Sequence, residues 1–149
     1  MRFGSPRSFL WGAACQPLGA DDVGQRQVVG KYGIPSDADL VFDVRFLPNP
    51  YYDENLRSHT GNEKAVQDFV RRGGTADVFL DKLYDMIDFL FPYYVKEGKN
   101  QLVIAVGCTG GKHRSVTVAN RLYERLKEHS EIGLKLEHRD IEMDNRTKG

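Results

Sequence analysis

One stretch of the chain, residues 102–115, constrains the fold and the chemistry more than any other. It reads LVIAVGCTGGKHRS, an apolar, β-branched run that ends in a glycine-rich, cationic loop. A helix-like pattern follows at once. This order predicts a buried strand, a turn and then a helix N-terminus, where unpaired backbone N–H groups and the helix dipole favour an anion. We therefore interpret the loop as a phosphate-binding site.

The side chains of the loop fit that interpretation. Gly110 and Gly111 let the backbone curl around a ligand, while Lys112, His113 and Arg114 add positive charge. Arg114 can offer a planar fork to phosphate oxygens. The loop is not a Walker loop, because Gly111-Lys112 is followed by histidine and the first glycine of that motif would fall on Val106. An ordinary surface turn with basic residues remains the alternative.

A covalent chemistry is a second alternative. Cys108, five residues and then Arg114 and Ser115 match the spacing of cysteine-dependent phosphatases, in which a thiolate attacks phosphorus. Asp43 or Asp53 would be the general acid. Against this interpretation, Gly107 stands where those enzymes usually carry histidine, and a small half-buried cysteine at a strand end is common. We expect phosphate binding without catalysis, and Cys108 with Arg114 as catalytic residues only in the alternative.

The composition limits the class of protein to which this chain can belong. The 149 residues are 40% hydrophobic and carry 21 positive and 21 negative side chains, which suits one globular domain and gives no net attraction to a polyanion. Two distant cysteines, Cys15 and Cys108, predict neither a disulfide framework nor a metal site, and they suit the cytoplasm. No apolar run approaches a membrane span, and the short N-terminal one is broken by Gly12. No cofactor is predicted.

The rest of the chain alternates predicted strands and helices. In residues 1–36 the apolar residues follow neither the helical nor the strand spacing, so this segment is predicted to be irregular. Residues 37–149 form the predicted domain. Strands are predicted over 40–47, 101–107 and 132–141, and helices over about 62–73, from 75 to near Pro92, and from Ser115 to near His129, with a frayed tail beyond Asp144. This alternation predicts an α/β fold with a parallel or mostly parallel sheet flanked by helices, and a site at the strand C-termini.

A second polar segment should reach the same edge. Asp43 and Arg45 interrupt an apolar strand, so they either form an ion pair or face a polar pocket. Downstream, residues 49–60 are too polar to be core. Opposite a phosphate loop, such a segment suits a phosphorylated polyol or sugar. The candidate sugar contacts are Arg45, Asn49, Tyr51 and Thr60.

Two motifs together resemble a known family. The segments DLVFDVRFLPNPYY (39–52), with Leu56-Arg57 and Thr60-Gly61, and AVGCTGGKHRS (105–115) are similar to the C-terminal domain of the RapZ/YvcJ family. These bacterial proteins are RNase adapters and nucleotide-binding P-loop ATPases or GTPases. The resemblance runs from about Lys31 to His138, so residues up to about 30 lie outside it.

The resemblance implies a phosphofructokinase-like sugar-phosphate module that senses glucosamine-6-phosphate or a related phosphosugar. It also implies a small regulatory RNA and a ribonuclease as partners, and a homo-oligomer for the full-length protein. The family's Walker-loop domain is absent here, so no ATPase or GTPase activity is expected of this chain. The implied ligand-binding residues are Asp43, Cys108, Thr109, Gly110, Gly111, Lys112, His113, Arg114 and Ser115.

This chain departs from the family at two places. Tyr51 stands where the enterobacterial branch has histidine, which puts one sugar contact in doubt. Basic residues of the C-terminal tail alternate with acidic ones, so the tail supplies little counterion release for RNA. A remaining basic face for RNA would comprise Lys112, Arg114, Arg121 and Arg125. The alternative is a solvated helix surface, because Glu124 and Glu128 lie between the basic residues.

Overall fold

A parallel four-stranded sheet organises the protein. The structure is a computed structural model that describes residues 7–14, 38–99, 101–128 and 133–148. Its strands are β1 (Arg7–Ala14), β2 (Leu40–Asp43), β3 (Val103–Cys108) and β4 (Gly133–Glu137). They lie in the order β2-β3-β1-β4, and every neighbouring pair is parallel. The predicted α/β fold with a parallel sheet is confirmed.

Helices connect and cover the strands. A 3₁₀ turn spans Pro50–Tyr52, and α1 (Lys64–Arg71), α2 (Thr75–Glu97), α3 (Arg114–Leu126) and α4 (Arg139–Lys148) follow in chain order. α3 packs on β1, β3, β4 and α2, while α4 packs on β1. Every residue of β3 is buried, which accounts for its unbroken apolar sequence. None of the described helices is both long enough and apolar enough to cross a membrane.

Local signals explain the ends of the first two helices. Gly73 and Gly74 take φ angles of +79° and +83° between α1 and α2, a left-handed conformation that favours glycine. Gly98, at φ +97°, ends α2 in the same way. Pro92 lies inside α2 rather than at its end. It falls in the last two turns, which stay helical although proline cannot donate a backbone hydrogen bond.

The structure corrects three predictions. Strand β1 lies inside the segment 1–36 that was predicted to be irregular, and the rest of that segment lies outside the described residues. Strand β2 ends at Asp43 instead of continuing to Leu47, because the Asp43 carboxylate accepts a hydrogen bond from the Arg45 backbone N–H at 2.9 Å and turns the chain. Strand β4 ends at Glu137, and the predicted end of that strand and the frayed tail belong to α4.

Parallel pairing fixes where the two predicted site segments meet. Asp43 pairs in register with Gly107, and the backbone N–H of Val44 donates to the carbonyl of Gly107 at 2.8 Å. Strands β2 and β3 therefore end side by side. The polar loops that follow Asp43 and Cys108 both begin at this edge of the sheet, as the sequence predicted.

Candidate anion-binding site at the sheet edge

The loop between β3 and α3, residues 109–113, is open on one side. Thr109 and Gly110 are exposed, and nothing lies within 4 Å of the position that a Cβ of Gly110 would take. Gly111 has φ +67°, a conformation that favours glycine. Lys112 is half-buried beside them. The loop thus brings a helix N-terminus and one lysine to a space that a ligand could fill.

Arg114 does not point its guanidinium into that space. Its side chain is only 5% exposed, and Nη1 donates to the backbone carbonyls of Arg45 at 2.6 Å and Leu47 at 3.4 Å. Nη2 donates to Thr109 Oγ1 at 3.4 Å, while Nε is buried with no hydrogen-bond partner in the described part of the chain. Arg114 therefore ties the loop after β2 to the loop after β3. The charge of Arg114 was predicted correctly from the sequence, but the direction of its side chain was not.

Cys108 and Ser115 form a closed pair under the loop. The cysteine is 2% exposed, its thiol donates to Ser115 Oγ at 3.2 Å, and the Ser115 backbone N–H donates to the sulfur at 3.4 Å. Cys108 and Ser115 are two of the residues whose spacing suggested the phosphatase alternative. The burial of the sulfur, however, leaves no open approach to it in this conformation.

Asp43 and Arg45 form an ion pair with each other. Arg45 Nη2 lies 2.5 Å from Asp43 Oδ2, and Nε lies 2.8 Å from the same oxygen. Burial raises the pKa of Asp43, but the hydrogen bonds and charge of Arg45, with a smaller contribution from Arg114, hold that pKa below its usual value. Of the two sequence alternatives, the ion pair is the one adopted, and it lies at the edge where the two loops begin.

His113 joins the loop to the segment that follows the 3₁₀ turn. Its ring is buried, and Nε2 donates to the backbone carbonyl of Arg57 at 3.2 Å. Burial, with the nearby charges of Lys112 and Arg114, lowers the pKa of His113, which the backbone carbonyls only partly offset. The imidazole is therefore neutral at neutral pH and acts as a hydrogen-bond donor to the backbone.

The other candidate sugar contacts have structural partners. Asn49 Oδ1 accepts from the backbone N–H of Tyr51 at 3.2 Å and caps the 3₁₀ turn, and Thr60 Oγ1 accepts from the backbone N–H of Asn62 at 3.3 Å. The Tyr51 ring is half-exposed. Arg45 and Tyr51 thus keep surface that a ligand can reach, whereas Asn49 and Thr60 shape the backbone.

Sequence reasoning missed Gly61 as a site residue. Its backbone N–H donates to the carbonyl of Lys112 at 2.7 Å, and an added Cβ would lie 2.4 Å from the His113 carbonyl oxygen and 2.6 Å from the Thr117 backbone nitrogen. Only a glycine lets the segment after the 3₁₀ turn approach the loop so closely. The signal was present in the Thr60-Gly61 pair, but nothing local shows which backbone it approaches.

Arg121 and Arg125 lie in a groove of mixed charge. The groove has a volume of about 460 Å³ and runs between α2 and α3. Arg125 pairs with Asp81 at 2.5 Å, and the Asp77 carboxylate faces Arg71 and Arg121. The groove is lined by Arg71, Asp77, Leu80, Asp81, Arg121, Glu124, Arg125 and Glu128. Acidic groups therefore offset the two arginines of the predicted RNA-binding face.

Sequence comparison gives consistent results along the chain. The sequence model of the RapZ C-terminal domain matches residues 29–142. A nucleotide-binding protein of Agathobacter rectalis is 65% identical over 114 residues, which are 76% of this chain and 39% of that protein. A nucleotide-binding protein of Thermoanaerobacter sp. strain X514 is 65% identical over 111 residues, which are 74% of this chain and 39% of that protein. A nucleotide-binding protein of Clostridium novyi is 58% identical over 119 residues, which are 80% of this chain and 40% of that protein. The chain spans about two fifths of the length of these relatives.

Proposed function

The chain belongs to the RapZ C-terminal domain family, and we propose that it is a regulatory domain that senses a phosphosugar resembling glucosamine-6-phosphate. The phosphate would bind at the open loop, on the backbone N–H groups of residues 109–112 and the ammonium group of Lys112. The observation that carries the proposal is this open loop at the N-terminus of α3, with Thr109 and Gly110 exposed and free space beside Gly110.

The neighbouring groups suit the rest of such a ligand. The Asp43–Arg45 ion pair lies where β2 ends beside β3, and its side chains are 28% and 32% exposed. A carboxylate there can accept hydrogen bonds from the hydroxyl or ammonium groups of an amino sugar. Arg114 is a positioning residue in this proposal, because its guanidinium holds the two loops together through backbone carbonyls.

A phosphorus NMR titration tests this proposal. Glucosamine-6-phosphate is added to the protein, to Lys112→Gln and to Lys82→Gln, a matched control in which an exposed lysine of α2 is changed. We expect the ester signal to shift with the native protein and with Lys82→Gln. The affinity of Lys112→Gln should be about tenfold lower, because one charge-assisted hydrogen bond is lost. Equal binding by all three proteins would contradict the proposed site.

A cysteine phosphatase is the second candidate, and the 3.2 Å contact between the Cys108 thiol and Ser115 Oγ favours it. The buried sulfur and the use of Arg114 by backbone carbonyls weigh against it. The same titration separates the two candidates if it is followed over hours. A growing inorganic phosphate signal that Cys108→Ser abolishes would establish catalysis, whereas an unchanged ester supports sensing.

For the longer proteins of the family, we propose a small regulatory RNA, a ribonuclease and further copies of the same protein as partners, in the cytoplasm. We assign nucleoside triphosphate hydrolysis to the part of the relatives that this chain does not match, since no Walker loop is present here. If RNA binds this chain through Lys112, Arg121 and Arg125, log affinity should fall with log salt with a slope of about −2. A slope near zero would exclude that face.

A further inference from the structure

A network of hydrogen bonds joins three distant parts of the chain at Gly61. The side-chain amide of Asn120, on α3, lies at its centre. Asn120 Nδ2 donates to the Gly61 backbone carbonyl at 3.2 Å and to Asn62 Oδ1 at 2.9 Å. Asn120 Oδ1 lies 2.9 Å from His138 Nε2, on the residue that follows β4. The network therefore connects α3, the segment before α1 and the end of β4.

The partners of Asn120 fix the orientation of its amide. A backbone carbonyl can only accept a hydrogen bond, so the atom that faces the Gly61 carbonyl is the amide nitrogen. Asn120 Oδ1 then accepts from His138 Nε2, which must carry the hydrogen. The other ring nitrogen, His138 Nδ1, is buried without a hydrogen-bond partner in the described part of the chain. The histidine is thus a neutral donor that orients Asn120.

Gly61 is held from two helices and in turn holds the open loop. Its carbonyl accepts a second hydrogen bond, at 2.7 Å, from Gln67 Nε2 on α1. Its backbone N–H donates to the Lys112 carbonyl, also at 2.7 Å. Gln67 and Asn120 therefore fix the carbonyl side of Gly61, while the N–H side of the same residue is bonded to the loop.

The contact with Gly61 restricts a loop that has few restraints of its own. Gly110 and Gly111 carry no side chain, so the backbone around them has more conformations available than that of other residues. Because the peptide group is planar, holding the Lys112 carbonyl also fixes the orientation of the peptide bond to His113. Backbone N–H groups that already point in fixed directions bind an anion with a smaller loss of conformational entropy.

We propose that Asn120 and Gln67 are positioning residues of the anion-binding loop and that His138 orients Asn120. The proposal rests on the proposed function, because it concerns the same loop. The two amides hold Gly61 against the Lys112 carbonyl and so pre-organise the backbone N–H groups that receive the phosphate. They act through the backbone and need no contact with the ligand. A purely structural network would change the stability of the protein but not the affinity of the folded protein for phosphate.

A double-variant experiment tests the proposal. Affinity for glucosamine-6-phosphate is measured by phosphorus NMR titration for the native protein, Asn120→Leu, Gln67→Met and the double variant, each shown to be folded by its urea transition. Both substitutions keep the approximate size of the side chain and remove its donor. Since either amide can hold the Gly61 carbonyl alone, each single variant should bind about 2-fold more weakly. The double variant should bind at least about 10-fold more weakly, which is more than the product of the single effects.

Two controls separate positioning from stability. Ile87→Val removes a methylene group from a buried residue of α2, so it lowers the stability of the protein and should leave the affinity unchanged. His138→Leu should weaken binding about as much as Asn120→Leu does, because the Asn120 amide is then free to rotate. His138→Gln should restore the affinity, since the glutamine amide can donate to Asn120 Oδ1 in place of the ring nitrogen.

Amide spectra of the ligand-free protein give a second readout. In the double variant, the nitrogen-15 amide signals of Gly110 and Gly111 should shift or broaden, because the loop samples more conformations. The Gly61 amide, which donates to the Lys112 carbonyl, should also exchange faster with deuterium than it does in the native protein. In Ile87→Val these signals should stay at their native positions.

The possible outcomes distinguish the two proposals. A folded double variant that binds like the native protein would overturn the positioning role while the phosphate site stands. An equal loss of affinity in Ile87→Val would overturn it as well, because the network would then act through stability alone. If the double variant does not fold, the difference between His138→Leu and His138→Gln decides. If Lys112→Gln does not weaken binding by the native protein, the phosphate site fails and the positioning role falls with it.

Discussion

Gly61 has no room for a larger side chain. A Cβ at this position would collide with the His113 carbonyl oxygen at 2.4 Å and the Thr117 backbone nitrogen at 2.6 Å, and both are backbone atoms that cannot rotate away. We predict that Gly61→Ala lowers the free energy of unfolding by about 1–3 kcal/mol, the usual cost of overpacking.

Urea denaturation measures this effect, with Gly110→Ala as the matched control. Nothing lies within 4 Å of a Cβ at Gly110, so that substitution should change the free energy of unfolding by less than about 0.5 kcal/mol. If the two alanine variants were equally stable, the segment after the 3₁₀ turn would not contact the loop as described.

His113 predicts a pH dependence of stability. Its pKa in the folded protein lies below the ordinary value of 6.5, chiefly because burial disfavours the charged ring. As pH falls below about 6.5, the unfolded chain binds a proton before the folded one does, so stability falls with decreasing pH. His138, whose pKa burial also lowers, contributes with the same sign.

Urea midpoints at pH 7.5, 6.0 and 5.0 test this dependence. His113→Gln can still donate to the Arg57 carbonyl but cannot take up a proton, so its midpoint should decline less than that of the native protein. His138→Gln removes a second histidine whose pKa burial lowers, and its midpoint should also decline less than that of the native protein. Parallel curves for all three proteins would show that His113 titrates alike in the folded and unfolded chains.

For single residues, the sequence predicted which residue types lie at the site better than it predicted where their side chains point. It identified Asp43, Arg45 and Arg114 as charges near one edge, because charged residues beside apolar strands need partners. It did not determine that Arg114 would bond to the Arg45 and Leu47 carbonyls. Those carbonyls belong to the loop that follows β2, which begins where the Asp43 carboxylate accepts a hydrogen bond from the Arg45 backbone N–H.

Helix α3 is linked to the loop after β2 through Arg114, and this link makes a prediction at the scale of elements. We expect Arg114→Ala to lower the free energy of unfolding by about 2 kcal/mol, because the two carbonyls lose a charged donor. The backbone N–H of Leu47, which donates to the Val44 carbonyl at 3.2 Å, should also exchange faster with deuterium.

Amide exchange measured by residue checks the second part of this prediction. Arg114→Lys should recover only part of the protection, because Arg114 reaches the two carbonyls and Thr109 Oγ1 with two different nitrogens, which a single ammonium nitrogen cannot reproduce. Amides of α1 serve as the internal reference and should be unaffected. Uniform loss of protection throughout the protein would indicate global destabilisation rather than release of one loop.

The elements that could be predicted are those in which the spacing of apolar residues matches the burial of the element. Strand β3 is apolar throughout because it is buried, and α3 keeps its inward face at helical spacing. Strand β1 reads RSFLWGAA, with small residues and no clear alternation, and it becomes a strand through pairing with β3 and β4. The adjacent charges of Arg139 and Asp140 interrupt the apolar–polar alternation of β4 where α4 begins. The alternation predicted over 132–141 hid this interruption.

At the scale of the whole molecule, β1 connects the two halves of the sheet. It pairs with β3 from Phe9 to Ala14 and with β4 from Arg7 to Trp11, and both α3 and α4 pack on it. In the described part of the sheet, β4 has no other neighbour. The match to the RapZ C-terminal domain begins only at residue 29 and so does not include this strand.

This arrangement predicts that the family-matched residues do not form the sheet by themselves. A chain of residues 29–149 lacks β1, which leaves the facing edges of β3 and β4 without their backbone hydrogen bonds. We expect it to lose the cooperative urea transition and the near-ultraviolet circular dichroism of the full chain. A chain of residues 7–149 retains β1 and should match the full chain in both measurements. If residues 29–149 instead unfolded with the same free energy and the same denaturant dependence as the full chain, β3 and β4 would have to be joined in another way, since an equal dependence means that equal surface is buried on folding.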